Sequence, residues 1–207
     1  MPDEKRPEET GPGISRRDFF KTSTAGAVST ALISKQGVAA PGEVTKLGPD
    51  PVKVKLIING KTHRLQVEPR VTLLDALRNE LEVTGPKKVC DRGTCGACTV
   101  LMDGLPVYAC SILAIEAVGK QIVTAEGLGS PDKLHPVQKA FVENDAQQCG
   151  FCTPGFVVAC QAFLKENPNP SVKDIKKGLG GNLCRCGTYV GIREAVLETA
   201  AKGGFDA

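Results

Sequence analysis

Two segments of alternating apolar and polar residues, 52–58 and 62–68, lie on either side of Asn59-Gly60. Alternation with a period of two is typical of a strand with one buried face, and Asn-Gly favours the tight turn of a hairpin. The two segments therefore predict a β-hairpin. His63 has the strand parity of Leu65, so we expect its side chain to be partly covered and structural.

Leucine spacing and a second turn signal predict the next elements. Four leucines recur at helical spacing and predict a helix over that sheet. They are Leu73, Leu74, Leu77 and Leu81. Residues 99–109 then indicate a strand, a turn at Asp103-Gly104 and a second strand, and residues 121–125 indicate a last strand. Hairpin, helix, hairpin and strand together predict a β-grasp domain over residues 52–126.

The strand patterns end after residue 126. Residues 126–132 gather turn formers and have no apolar period, so we expect a linker there. Four helical patterns follow and predict an all-α four-helix domain over residues 130–202, which makes the fold class α+β. The signals are His135-Pro136, Thr153-Pro154 as N-cap and first helical residue, the capping box Ser171-x-x-Asp174, and the apolar positions Ile192, Ala195, Val196 and Thr199.

The N-terminal segment carries an export signature. A twin arginine stands in the context Ser15-Arg16-Arg17-Asp18-Phe19-Phe20-Lys21 and is followed by thirteen uncharged residues, 22–34. This pattern is typical of a Tat signal peptide, which directs a folded protein to the periplasm. The stretch is too short and too weakly apolar to predict a stable membrane anchor. We therefore assign residues 1–40 to a signal peptide, with small residues for cleavage at Val38-Ala39-Ala40.

Charge restricts the possible partners. Residues 1–40 carry six of the 26 Lys and Arg and five of the 23 Asp and Glu, which leaves 20 basic and 18 acidic side chains in the mature chain. No basic stretch with interleaved aromatic residues remains. Nucleic-acid binding is therefore not expected.

Eight of the nine cysteines fall into two sets of four. The first set begins with the C-x4-C-x2-C spacing of plant-type ferredoxins, and its fourth cysteine follows the second predicted hairpin. Gly93 and Gly96 lie between these cysteines, where they let the backbone curl round a cluster and direct N–H groups at its sulfurs. We expect a [2Fe–2S] cluster at this set. Its members are Cys90, Cys95, Cys98 and Cys110.

The second set joins two distant segments. A Cys-x2-Cys pair precedes the second predicted helix, and a Cys-x-Cys pair stands before the fourth, about thirty residues later. A Cys-x-Cys pair turns both thiols toward one point only in an irregular turn, which the glycines before and after it allow. We expect a second [2Fe–2S] cluster between helix ends. The members are Cys149, Cys152, Cys184 and Cys186.

Other roles for the cysteines and histidines have less support. Structural zinc usually takes two Cys-x2-Cys knuckles, a form that neither set has. Disulfides would suit an exported chain, but the tight Cys-x-Cys pair favours metal. Cys160 shares an apolar helix face with Phe156 and Leu164, so we expect a buried core thiol and not a ligand. His135 likewise has no partner ligands nearby in sequence and is expected to be structural.

These motifs resemble those of the iron–sulfur subunit of the molybdenum hydroxylases, the xanthine oxidase relatives. The resemblance covers residues 52–200 and implies a ferredoxin-like domain, a helical domain and two [2Fe–2S] clusters. With the twin-arginine signal, the chain looks most similar to the small subunit of a periplasmic aldehyde oxidoreductase. The motifs are Cys-x4-Cys-x2-Cys, Gln148-Cys149-Gly150-Phe151-Cys152-Thr153-Pro154-Gly155-Phe156 and Gly181-Asn182-Leu183-Cys184-Arg185-Cys186.

The resemblance also implies a division of labour. A large partner subunit would hold the molybdopterin centre and oxidise an aldehyde or N-heterocycle, and a further subunit would hold FAD in many relatives. The second cluster would lie nearer molybdenum, with Gln148 and Cys186 against the pterin, and the first nearer the flavin or external acceptor. This non-catalytic subunit would relay the electrons. Gly187-Thr188 inverts the family's Thr-Gly order after the last ligand, which alters the loop facing the pterin.

Two other functions are compatible with two clusters. The chain could be an autonomous periplasmic electron carrier of the ferredoxin type, or a redox sensor. Free ferredoxins are commonly steered to their partners by a strong acidic field, which this near-neutral chain lacks. A sensor requires an output module, and no residues remain for one. The relay subunit is therefore the favoured hypothesis.

Overall fold

A computed structural model describes residues 47–203, and the predicted signal peptide lies outside this range. A mixed five-stranded sheet occupies its first half, with strand order β2-β1-β5-β3-β4. β1 and β2 form the predicted first hairpin and β3 and β4 the second, whereas β5 runs parallel to β1 and antiparallel to β3. The strands are β1 Val52–Ile58, β2 Lys61–Val67, β3 Thr99–Met102, β4 Leu105–Tyr108 and β5 Gln121–Val123.

The predicted turn residues and leucine helix are present. Asn59 and Gly60 both have positive φ, as a tight hairpin turn requires. The helix begins as α1, Leu73–Asp75, and continues as one π-helical stretch, Ala76–Glu80. Its leucines are buried in the sheet's core apart from the last, which follows the helix and is half-buried. The wider turn is a feature that leucine spacing alone does not predict.

The second half contains the four predicted helices. One further short helix, α2 (Ala125–Leu128), occupies the start of the segment expected to be a linker. Within residues 47–203 no helix has the length and apolar character needed to cross a bilayer. The four main helices are α3 Pro136–Glu143, α4 Thr153–Glu166, α5 Val172–Gly178 and α6 Tyr189–Lys202.

Helix capping agrees with the predicted signals at two ends and differs at one. His135 caps α3 in a capping box with Gln138, and Ser171 does the same for α5 with Asp174. The expected N-cap at Thr153 is wrong by one residue. Cys152 occupies the cap position and Thr153 is the first helical residue. The helix therefore begins directly at a cysteine of the second set.

Two cores lie side by side and meet along one helix. One is enclosed by the sheet and α1, and the other by the four main helices. A small third group, formed by Leu101 of β3 with Val158 and Ala162 of α4, is buried between them. Since α4 starts at Cys152 and β3 starts directly after Cys98, this packing brings the two cysteine-bearing regions together.

Candidate iron–sulfur sites

The first cysteine set lies in the loop between α1 and β3 and in the turn after β4. The second hairpin returns Cys110 to the loop, where its Sγ accepts a hydrogen bond from the Gly93 N–H at 3.3 Å. This is the kind of backbone N–H contact to a cysteine sulfur that we expected of the loop glycines. Cys98 and Cys110 are buried, and Cys90 and Cys95 are half-buried.

Loop geometry at this set requires glycine. Gly93 and Gly96 have φ of +68° and +69°, a region that side-chain-bearing residues rarely adopt. A Cβ on Gly93 would lie 2.7 Å from the Ser111 hydroxyl, and one on Gly96 would lie 2.6 Å from the Asn182 side chain. The loop is therefore held tightly against both its own domain and the helical domain.

The pKa values of the thiols differ sharply within the first set. A hydrogen bond from the Thr94 side chain is the main reason why the pKa of Cys90 falls to about 6, and backbone hydrogen bonds and the Cys95 thiol add to it. Burial raises the pKa of Cys98 to about 12, with the charge of the neighbouring Cys110 acting in the same direction. Iron binding at this set would therefore have to displace a proton from Cys98.

The second set lies where the start of α4 meets the loop before α6. Cys149 and Cys186 are exposed, Cys152 is half-buried and Cys184 is buried. Gly187 has a φ of +84°, which supplies the irregular turn expected of the Cys-x-Cys pair. Gln148 is also exposed, beside Cys149 on this surface.

In the second set, too, a thiol with a lowered pKa contacts a thiol with a raised pKa. Burial of Cys184 favours its neutral form, but hydrogen bonds from Thr188 and others outweigh this and lower its pKa to about 7. Burial raises the pKa of the adjacent Cys152 to about 12. A hydrogen bond from the Phe151 backbone lowers the pKa of Cys149, whereas contact with that thiol raises the pKa of Cys186.

The thiols that hydrogen-bond to each other form pairs. Cys90 interacts with Cys95 and Cys98 with Cys110, and in the second set Cys149 interacts with Cys186 and Cys152 with Cys184. Among residues 47–203, no three His, Cys, Asp or Glu side chains are grouped so as to hold one metal ion. Two thiolates for each of two irons are what a [2Fe–2S] cluster needs, whereas zinc takes four ligands around one point. The hydrogen-bonded pairs suit two irons, and the charges of Cys95 near Cys98 and of Cys184 near Cys149 link the two pairs within each set.

The two sets open into one shared cavity. Its volume is about 450 Å³, and its lining includes Cys95 from the first set together with Cys149, Cys152 and Cys184 from the second. Adjacent to it, the Leu183 N–H donates a hydrogen bond to the Cys95 carbonyl at 2.9 Å. The structure therefore places the two candidate sites next to each other.

Comparison with known proteins identifies the family. A "2Fe-2S iron-sulfur cluster binding domain" matches residues 56–121, and a "[2Fe-2S] binding domain" matches residues 124–197. The "Aldehyde oxidoreductase iron-sulfur-binding subunit PaoA" of Escherichia coli O157:H7 is 41% identical, covering 91% of this chain and 89% of that protein. The chain belongs to the iron–sulfur subunits of the molybdenum hydroxylases.

Two further members of this molybdenum hydroxylase family have related sequences or folds. The "Nicotine 6-hydroxylase small subunit" of Paenarthrobacter nicotinovorans is 44% identical, covering 75% of this chain and 93% of that protein. A chain of quinoline 2-oxidoreductase from Pseudomonas putida 86 has a TM-score of 0.70 and 42% identity, covering 75% of this chain and 99% of its own length. The predicted combination of ferredoxin-like and helical domains is therefore confirmed.

Histidines occupy the structural positions that we expected. His63 is half-buried on β2, and His135 is buried at the start of α3, where its Nδ1 accepts a hydrogen bond from the Val137 N–H. Sequence reasoning missed the polar residues that surround the cysteines, above all Asn182, Thr94 and Thr188. Asn182 stands inside a quoted motif, two residues before Cys184, and this adjacency was the available signal.

Cys160 provides a test of which thiols matter in this iron–sulfur subunit. Its side chain is fully buried in the helical core, and burial alone raises its pKa. Replacement by serine would bury a hydroxyl among apolar groups, so we expect Cys160→Ser to lower the free energy of unfolding by about 1–3 kcal/mol. Iron content, measured by metal analysis of the surviving protein, should not change. A loss of iron without unfolding would make Cys160 a ligand.

Proposed function

We propose that this chain binds two [2Fe–2S] clusters, one at each cysteine set, and relays electrons from a molybdopterin centre in a large partner subunit to FAD or an external acceptor. Each cluster would supply one-electron oxidation and reduction. The polypeptide's part is to hold the eight thiolates, to keep the sites adjacent and to present one of them to the partner. The observation that carries this proposal is the shared cavity, which Cys95, Cys149, Cys152 and Cys184 line together.

The proposed direction of the relay rests on the family resemblance, and the exposure of the second set supports it. Cys149 and Cys186 are exposed, and Phe151 beside them is 58% exposed. Leu183 and Tyr189, which line the same cavity, are also exposed, so several apolar side chains lie together here, as on a surface that a partner covers. We therefore assign the second set to the end facing the molybdopterin centre, with Gln148 and Cys186 toward the pterin. The half-buried Cys90 and Cys95 belong to the site nearer the acceptor.

The proposed substrate class is aldehydes. The support is the similarity to the Escherichia coli aldehyde oxidoreductase subunit, which extends over 91% of this chain. The nicotine and quinoline enzymes match 75% of it. N-heterocycles are the alternative class, because the partner subunit would bind the substrate and this chain would not touch it.

Metal and sulfide analysis tests the cluster assignment directly. We expect the reconstituted full chain to hold about four iron and four acid-labile sulfide, and to give two distinguishable paramagnetic signals on reduction. The signals should differ because one site lies in a sheet-flanked loop and the other between helix ends. Zinc in place of iron, or a single signal at full iron loading, would refute the proposal of two clusters.

A test of partner binding distinguishes a relay subunit from an autonomous electron carrier. Pull-down of the cluster-loaded chain from its own organism should recover a large molybdenum-containing subunit in stoichiometric amount. Assay of that complex with aldehydes and N-heterocycles should then identify the substrate class. An isolated monomer that supports electron exchange with several small carriers would indicate the autonomous role instead.

We also propose export to the periplasm by the Tat pathway, with residues 1–40 as the signal peptide. Because the pathway's receptor reads the arginine pair as an address, changing Arg16 and Arg17 together to lysine should retain folded, cluster-loaded protein inside the cell. Cell fractionation with immunoblotting measures this. A matched change of Lys5 and Arg6 to the other basic residue should leave export intact. Normal periplasmic yield from the twin-lysine variant would contradict this targeting.

A further inference from the structure

The hairpin of β1 and β2 presents a positively charged face to solvent. Alternate residues of β1, such as Val54 and Leu56, are buried in the sheet's core, so the residues between them point outward. Lys53 and Lys55 on β1 and Arg64 on β2 are the charged members of this outward set, and all three are exposed. We call these three side chains the basic hairpin face. A cavity of about 380 Å³ lies beside them, with all three in its lining.

The basic hairpin face brings like charges together without an internal counter-charge. Lys55 and Arg64 are directly opposite each other in the strand register, where like charges destabilise a strand pair. None of the three cations forms an ion pair or a side-chain hydrogen bond within residues 47–203. The acidic residue that follows β2, Glu68, binds Arg70 instead, at 2.6 Å. An anion from another molecule would offset this repulsion, so the face suits an acidic ligand.

Next to this face, β2 offers a free backbone edge. It is the first strand in the order β2-β1-β5-β3-β4. Across the described part of the chain, backbone hydrogen bonds connect β2 to β1 and to no other segment. The edge strand at the other end of the sheet, β4, contains Pro106, which has no N–H to donate, whereas β2 contains no proline. An unpaired edge of this kind is a template for an added strand.

We propose that an extended, carboxylate-rich segment of a partner chain binds along β2, where it pairs with the free backbone edge and places its carboxylates over the basic hairpin face. On an extended chain, residues two positions apart lie on one face at a spacing of about 6.6 Å. Lys53 and Lys55 are two positions apart on β1, so Glu or Asp at alternate positions of the added strand would match them. A second copy of β2 would instead be repelled by Arg64, which commits the edge to an acidic partner.

Nucleic acid is the less favoured ligand for this face. β1 and β2 contain no Phe, Tyr or Trp on which a base could stack, and three cations neutralise few phosphates. The cysteine sets take no part in the site, because the first set adjoins β3 and β4, at the other end of the strand order. The proposed binding therefore does not depend on iron.

Peptide binding to the full chain tests this proposal. The probe is a fluorescein-labelled peptide as long as β2, in which glutamate alternates with threonine, and fluorescence anisotropy measures its affinity. We expect the double variant Lys55→Gln, Arg64→Gln to bind it about five- to ten-fold more weakly, because two exposed charge contacts are lost. Hydrogen–deuterium exchange of the wild-type chain should slow in residues 61–67 when the peptide is added. Without peptide, the double variant should have a thermal midpoint about 1–3 °C higher, because the repulsion is gone.

The double variant Lys165→Gln, Lys173→Gln is the matched control. These lysines are exposed on α4 and α5 and form no ion pair within residues 47–203, and their loss removes the same charge. The control should bind the peptide as tightly as the wild-type chain. The proposal is overturned if the Lys55 and Arg64 variant also binds as tightly, if the control weakens binding equally, or if exchange in residues 61–67 does not slow at saturating peptide.

Other results would assign these charges a different role and would equally overturn the proposal. A single-stranded oligonucleotide of the same charge that binds more tightly than the peptide would indicate a nucleic-acid surface. A lower midpoint of the Lys55 and Arg64 variant would mean that the charges stabilise the hairpin itself. Self-association of this variant with unchanged peptide binding would mean that the charges only keep the edges of two copies apart.

Discussion

Cys95→Ala is expected to abolish steady turnover of the assembled enzyme with an external acceptor. The substitution removes one thiolate of the first set and keeps the backbone carbonyl to which Leu183 donates. Changes to residues that only support a metal ligand already cost 10–100-fold in affinity or activity, so loss of a ligand should lower turnover by about 100-fold or more. Steady-state assay of the purified complex measures this.

Single-turnover experiments show where the block lies. In the Cys95→Ala complex the substrate should still reduce the partner's metal centre and the cluster at the second set, since those thiols are intact. Electron paramagnetic resonance should show that one signal is lost and the other kept. Cys184→Ala should show the reverse pattern, and Cys160→Ala should behave as wild type. Normal steady turnover of Cys95→Ala complex lacking the first cluster would require another exit for electrons and would contradict the relay.

Among substitutions that add one methyl group to the cysteine loop, we expect Gly96→Ala to lower the free energy of unfolding most. Gly96 has a φ of +69°, and an added Cβ would lie 2.6 Å from the Asn182 side chain and 2.8 Å from the Gly181 carbonyl. The left-handed backbone costs about 1–2 kcal/mol and overpacking a further 1–3 kcal/mol. A total near 3 kcal/mol corresponds to a fall of roughly 10 °C in the thermal midpoint of a chain of this size.

Gly104→Ala is the control that separates the packing cost of Gly96→Ala from its backbone cost. Gly104 has a φ of +83° in the β3–β4 turn, but an added Cβ would have nothing within 4 Å. It should therefore lower the midpoint by roughly 3 °C, through backbone strain alone. Calorimetry of the two cluster-loaded variants gives the comparison. Equal losses would mean that the contact of Gly96 with Gly181 and Asn182 yields without cost.

Several elements of this protein follow from local sequence. The hairpins at Asn59-Gly60 and Asp103-Gly104 and the capping box at Ser171 were predictable because each is set by residues within a few positions of one another. Cysteine spacing indicated two sites for the same reason. The assignment of individual ligands stays a prediction, and so do the signal peptide and the substrate class.

Elements that depend on neighbours in space were missed. The expected cap at Thr153 was displaced to Cys152, and α1 widened into a π-helix as its leucines packed into the sheet's core. The expected linker begins as a short helix whose last residue, Leu128, packs on the helical core. The widened helix and the short helix both pack apolar side chains on a core, and spacing along the chain does not encode those contacts.

The sequence by itself determined the family, the two sets of cysteines and the order of the domains, because these are carried by spacing along the chain. Only the tertiary structure decided that Cys95 meets Leu183, and that Asn182 holds the two regions together. These residues are 86 to 88 positions apart, and no periodic pattern relates them. Their contact exists because α4 packs on β3 through buried apolar side chains, which brings the start of each element, and the cysteine beside it, to one place.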